Sequence, residues 1–83
     1  MSTIVRITDL RANENGTVVS INGGFGMVRR LNALGIHEGK TITKVSAQWM
    51  HGPVIIRIGH TDLAIGHGMA GKIMVSRDKG NSA

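Results

Sequence analysis

GPVIIRIGHTDLAIGHGMAGKIMVS, residues 52–76, is the stretch that decides the fold. Val54, Ile56 and Ile58 fall on one side of an extended run, with Ile55 and Arg57 on the other. Period-two patterning with β-branched residues is the mark of a strand. Pro53 stands at the first position of that strand, where its missing N–H does least harm, directly after Gly52. Gly59 to Asp62 is short enough to close a hairpin onto a second short strand, Leu63 to Ile65. GHGMAG, residues 66–71, then links to a third strand, KIMVS at 72–76, and has room for one turn of 3₁₀-helix. In that last strand Ile73 and Val75 point inward.

Working outward, two more β runs precede this segment. TVVSI, residues 17–21, puts Thr17, Val19 and Ile21 on one face. KTITKVS, residues 40–46, is β-branched but alternates only weakly. Between them lies NGGFGMVRRLNALG, residues 22–35. Here the period changes: from Phe25 to Leu34, the residues Met27, Val28, Leu31 and Leu34 share one face of a helix, while Arg29, Arg30 and Asn32 point elsewhere. Gly35 is placed to end that helix with a positive φ, and Ile36 to touch Leu31 in a Schellman arrangement.

The glycines at 23, 24 and 26 raise the question of a phosphate loop, since they follow a strand and open a helix. Gly24-x-Gly26 lacks the third glycine of the dinucleotide fingerprint, and no Gly-Lys-Ser/Thr follows. The chain is also too short for a nucleotide crevice. These glycines are therefore read as a turn that launches a structural helix.

Five short strands with one inserted helix cannot cover a flat sheet on both faces. They can close on themselves, which also hides the sheet edges. The expected fold is mainly β: a small barrel of about five strands over residues 1–76, one end plugged by the helix, followed by a polar tail at 77–83. The structural positions are Gly35, Leu31, Leu34, Gly52, Pro53, Ile56, Ile73 and Val75. Eighty-three residues allow one such core. With one Phe and one Trp, that core must be built from Ile, Val, Leu and Met, and one of the two aromatics is expected to cap it.

There is no cysteine, hence no disulfide framework, zinc ribbon or thiol nucleophile, and an intracellular setting is expected. Arg6, Asp9 and Arg11 interrupt the opening residues, so no signal-peptide apolar region forms there. No apolar run approaches the roughly 20 residues that span a bilayer. The net charge of +5 suits anionic partners and equally suits simple solubility.

The order and spacing of these elements resemble the FeoA family of small SH3-like barrels associated with bacterial ferrous iron uptake. The resemblance is carried by Arg30-Leu31, Leu34-Gly35-Ile36, Gly39, Gly52-Pro53, Leu63 to Ile65, Ala70, and Lys72 to Val75. It extends over residues 7 to 76, with Ala12-Asn13 standing where the family often has Pro-Gly. It implies a cytoplasmic accessory protein without cofactor, recruited to the inner face of the membrane by the G-protein region of a FeoB-type permease.

Chemistry has little footing in the pattern. The five acids, Asp9, Glu14, Glu38, Asp62 and Asp78, are scattered, with no convergent pair for catalysis, so no enzyme activity is expected. His60, Asp62 and His67 are the candidate metal ligands, but they stand on separate glycine-rich loops without a third convergent partner, and no metal site is expected. Nucleic-acid binding is the rival function for a basic barrel. It lacks the aromatic platforms that single strands need, and the charge is not gathered into a stripe, so no nucleic-acid partner is expected. A protein partner fits better. Trp49 and Met50, in the loop AQWMHG at 47–52, are candidate anchors, with Arg29, Arg30 and Arg57 as a basic rim.

Overall fold

The protein is described here from a computed structural model covering residues 3–46 and 52–77. Six strands form: β1 (Thr3–Arg6), β2 (Asn15–Ile21), β3 (Thr41–Ser46), β4 (Val54–Ile58), β5 (Thr61–Ile65) and β6 (Ile73–Arg77). A 3₁₀ turn at Ile7–Asp9 follows β1; helix α1 (Phe25–Ala33) links β2 to β3, and α2 (His67–Ala70) links β5 to β6. Every pairing is antiparallel, in the order β1-β6-β2-β3-β4-β5.

One core runs through nearly all of it. Val18, Ile42, Val54, Ile56, Ile65, Ile73 and Val75 come from five strands, and all are buried in a single cluster. A sheet whose strands share one core must curl around it, and the result is the small barrel expected from the strands, of the SH3-like kind that the family resemblance implies. Ile7 and Leu10 fill it beside the 3₁₀ turn, Ala70 from α2, and Leu31 and Ile36 from α1 and its exit.

The hairpin reading of residues 54–65 holds, with a tighter turn. Ile58 pairs with Thr61, so only Gly59 and His60 lie between the strands, and Gly59 takes φ +62°. Thr61 and Asp62 therefore belong to β5. α2 is a single α-turn in the link that had room for a 3₁₀ turn. β4 begins at Val54, one residue after Pro53. β6 includes Arg77, one residue beyond the expected boundary; residues 78–83 lie outside the described residues.

Three expectations are corrected. The first is the number of strands: β1 adds a sixth, pairing with β6 from Thr3↔Arg77 to Arg6↔Met74. Its side chains are mostly exposed, so it carries little apolar signal. The second is the face of β2. Val18 is buried, and Thr17 lies on the opposite side, its hydroxyl 3.4 Å from that of Thr41. The pairing with β6 then shifts between Val18 and Ser20, a β-bulge at Val19 that reverses the alternation and turns Ile21 back toward the core. Close to the start of β2, a Cβ on Gly16 would sit 2.9 Å from Val75 Cγ2, so β2 and β6 pack there without room for a side chain.

The third is Leu34. The helix ends at Ala33, and Leu34, as its C-cap, is 46% exposed. The termination is otherwise as the sequence implies. Gly35 has φ +94°, its N–H donates to Asn32 O (3.0 Å), and the Ile36 N–H donates to Leu31 O (2.9 Å), both bonds of the Schellman motif. A Cβ at Gly35 would meet nothing closer than Ile58 Cγ2 at 3.9 Å, so the requirement for glycine is conformational. Gly35→Ala is expected to lower stability by about 1 kcal/mol, or roughly 4 to 8 °C in thermal midpoint. An unchanged midpoint would mean that the helix exit tolerates another conformation.

Candidate functional site

Helix α1 is anchored by a narrow stripe. Leu31 is buried and Met27, one turn earlier, packs against the core. At 3.6 residues per turn, Phe25, Arg29 and Asn32 lie on the side turned away from it, with Val28 on the border. Phe25 is 86% exposed, at the first position of the helix. It is the only aromatic among the described residues, and it does not cap the core. Arg29 and Arg30 are exposed, α1 carries no acid, and neither arginine has an ion-pair partner among the described residues. Arg30 sits on the other flank of the helix from Val28.

Along the Val28 side runs an open cavity of about 360 Å³, lined by Ile21, Val28, Asn32, His37 and Glu38. Its elements come together for local reasons. The bulge in β2 aims Ile21, and the Schellman exit of α1 brings His37 and Glu38 back beside the helix. Ile21 and Val28 give an apolar wall; Asn32, His37 and Glu38 offer polar groups. His37 Nδ1 lies 3.0 Å from Glu38 O.

The residues expected to bind a partner or a metal are distributed otherwise. Trp49 and Met50 lie outside the described residues. Arg57 and Asp62 face each other across the β4–β5 hairpin: Arg57 Nε and Nη2 donate to the two carboxylate oxygens at 2.7 and 3.2 Å. Those hydrogen bonds, helped by the guanidinium charge, hold the Asp62 carboxyl below the ordinary carboxylate range and raise Arg57 in turn. Arg57 is thus engaged within the domain, unlike Arg29 and Arg30, and Asp62 already has its cation. His60 is in the hairpin turn and His67 opens α2. Among the described residues, no three His, Asp or Glu side chains are grouped to hold a metal ion.

Lys44 has a place that the sequence reading missed. It is 2% exposed, and its Nζ donates to Leu10 O (2.7 Å) and Thr8 O (3.2 Å). Its backbone is tied to the same segment: Lys44 N–H donates to Glu14 O and Asn13 N–H to Lys44 O. Burial pushes the ammonium below its ordinary range, while the charges of Asp9 and Glu14 pull the other way. Nearby, Arg77 Nη2 donates to Asp9 O (3.0 Å). Arg77 Nε stands 2.7 Å from Glu14 Oε2 without a hydrogen-bonding alignment, so that contact is one of charge. This cluster fastens the N-terminal segment to the barrel and presents no open site. The signal for it was parity, because Lys44 falls two residues after the inward Ile42.

The signal for Phe25 was also present: a large aromatic with glycine on either side. A Cβ on Gly24 or on Gly26 would meet nothing within 4 Å, and neither has a positive φ. The fold does not require glycine at either position.

Comparison with known proteins agrees with this architecture. The model of the FeoA domain family matches residues 5–77. A protein of Methanocaldococcus jannaschii named "Putative Fe(2+) transport protein A" is 38% identical over 65 residues, covering 78% of this chain and 77% of that protein. A crystal structure of an iron uptake regulatory protein, FeoA, superposes with a TM-score of 0.84 at 33% identity, over 90% of this chain and 99% of the other. A crystal structure of T. acidophilum IdeR matches with a TM-score of 0.79 and 25% identity, over 92% of this chain but only 35% of that longer protein.

Proposed function

This chain belongs to the FeoA domain family, and from that premise we propose that it is a non-enzymatic accessory of ferrous iron uptake that binds the cytoplasmic G-protein region of a FeoB-type permease. The observation that carries the reading beyond family membership is the outer side of α1. An exposed aromatic, two arginines without acids beside them, and an adjoining cavity are what a docking surface needs. His37 and Glu38 are the titratable side chains that line the cavity, and His37 Nδ1 lies against the Glu38 backbone carbonyl. No helix among the described residues is long and apolar enough to cross a membrane; on the proposed reading, the domain meets the inner membrane face through its partner.

Affinity purification of the tagged chain from detergent-solubilised cells tests this reading, with captured proteins identified by mass spectrometry and nucleic acid assayed in parallel. The permease is expected in the eluate at a ratio near one to one. Recovery of nucleic acid without the permease would favour a basic barrel acting on nucleic acid.

A further inference from the structure

We infer that the Phe25–Arg29 side of α1, with the cavity between Ile21, Val28 and Glu38, docks an acidic protein segment that carries an apolar anchor. The inference rests on the reading that this chain acts by binding a protein partner, and it names the surface and the chemistry of that partner.

Phe25 begins the argument. Exposing an aromatic ring to 86% sacrifices burial that a domain of this size could use. Its neighbours make it reachable. Gly24 and Gly26 leave the backbone bare on both sides, although nothing in the fold would collide with a side chain at either. Gly26 also lowers the helix propensity of the first turn. Bare backbone around an exposed ring lets another surface approach closely.

The cavity and the charges define what approaches. Phe25, Asn32 and Arg29 are neighbours at helical spacing, three, four or seven residues apart, and Val28 joins them to the cavity. An apolar side chain from the partner would rest on Ile21 and Val28, with Phe25 closing over it. Asn32 and His37 are in position to hydrogen-bond its main chain. Arg29, one turn from Phe25, would take a carboxylate from the same segment. Arg30, on the far flank, would not.

A second copy of this chain fits poorly. α1 carries two arginines and no acid, so two such faces would repel each other. A lipid surface also fits less well. A bilayer surface cannot send a single apolar side chain and directed main-chain groups into a cavity lined by Ile21, Val28, Asn32 and His37.

The test measures affinity for the purified cytoplasmic region of the permease, using Phe25→Ala, Arg29→Glu, Arg30→Glu and, as a control, Ile4→Ala. Ile4 is an exposed apolar residue on β1. Phe25→Ala should weaken binding about 30-fold with its thermal midpoint unchanged, because a central aromatic anchor dominates an interface. Arg29→Glu should weaken binding at least about tenfold and clearly more than Arg30→Glu; Ile4→Ala should have no effect. Unchanged affinity in Phe25→Ala would overturn the proposal. So would loss of binding to phosphatidylglycerol vesicles, or loss of self-association by sedimentation, in that variant while permease affinity stays intact.

A photo-crosslinking residue at position 25 in living cells separates this inference from the choice of partner. Adducts on an acidic, apolar segment of another identified protein, with no binding to the permease, would sink the permease reading and keep the surface. Adducts at position 25 no more abundant than at position 4 would overturn the surface itself.

Discussion

Leu31→Ala is expected to bring this domain close to unfolding at ordinary temperatures. Leu31 is the one fully buried side chain of α1, and the helix has few other holds on the barrel. Truncating a leucine in such a place costs about 3 kcal/mol, from lost transfer energy and from the cavity left behind. A domain of this length has a total stability of roughly 4 to 12 kcal/mol, so the loss is a large share of it. The thermal midpoint should fall by about 15 °C, on the scale of roughly 4 to 8 °C per kcal/mol for small domains. The loss should also be local in character. The Leu31 carbonyl accepts the N–H of Ile36, and Ile36 is itself buried, so a loosened helix would release the exit turn and with it His37 and Glu38.

Leu34→Ala is the matched control. Periodicity alone puts Leu31 and Leu34 on the same face, three residues apart. The structure separates them, because the helix ends before Leu34 and leaves it nearly half exposed. Its truncation should cost less than about 1 kcal/mol, as for surface positions generally. Denaturant unfolding of the two variants side by side is the measurement. Equal losses would mean that the helix continues through Leu34 and that the exit is misplaced.

The contrast between these two leucines shows how far local pattern carries. The β4 strand was legible because Val54, Ile56 and Ile58 alternate and a turn follows. The helix exit was legible because a Schellman motif needs only Leu31, Gly35 and Ile36, all within a few residues. What failed depended on distant partners. The facing of Val18 and Thr17 cannot be read from TVVSI, since the bulge at Val19 is set by pairing with β6, far along the chain. β1 was invisible for a related reason: Thr3 to Arg6 earn their strand by pairing with β6 while exposing even Ile4. The candidate site follows the same division. Arg29 and Arg30 could be placed on the outer side of a helix from spacing alone. The cavity beside them could not, because it takes β2, α1 and the segment after it to form its walls.

Lys44→Met is the second large effect, and its pH dependence carries the argument. Methionine keeps most of the aliphatic stem but removes the donors that Nζ gives to the carbonyls of Thr8 and Leu10. Leu10 is buried, so its carbonyl would lose its partner away from solvent. Hydrogen bonds from a charged donor contribute about 1.5 to 3 kcal/mol each, offset here by the desolvation of the ammonium, and a net loss of about 2 kcal/mol is expected at neutral pH. Amide exchange should quicken first between Ile7 and Glu14, the segment that Lys44 ties down. The pH dependence separates the charge from the packing. Desolvation lowers the Lys44 pKa in the folded chain below its ordinary 10.5, despite Asp9 and Glu14. Between the folded and unfolded pKa values the unfolded chain holds more protons, so this group's contribution to stability rises with pH through that window. Below the window, where both states are protonated, the contribution is constant and at its lowest. Urea unfolding of the native chain and of Lys44→Met, from neutral pH to about 10.5, should therefore give a stability difference that widens toward the alkaline end. A difference that stays flat or narrows would show that the two carbonyls solvate the ammonium as well as water does, and that Lys44 is a buried charge held without penalty.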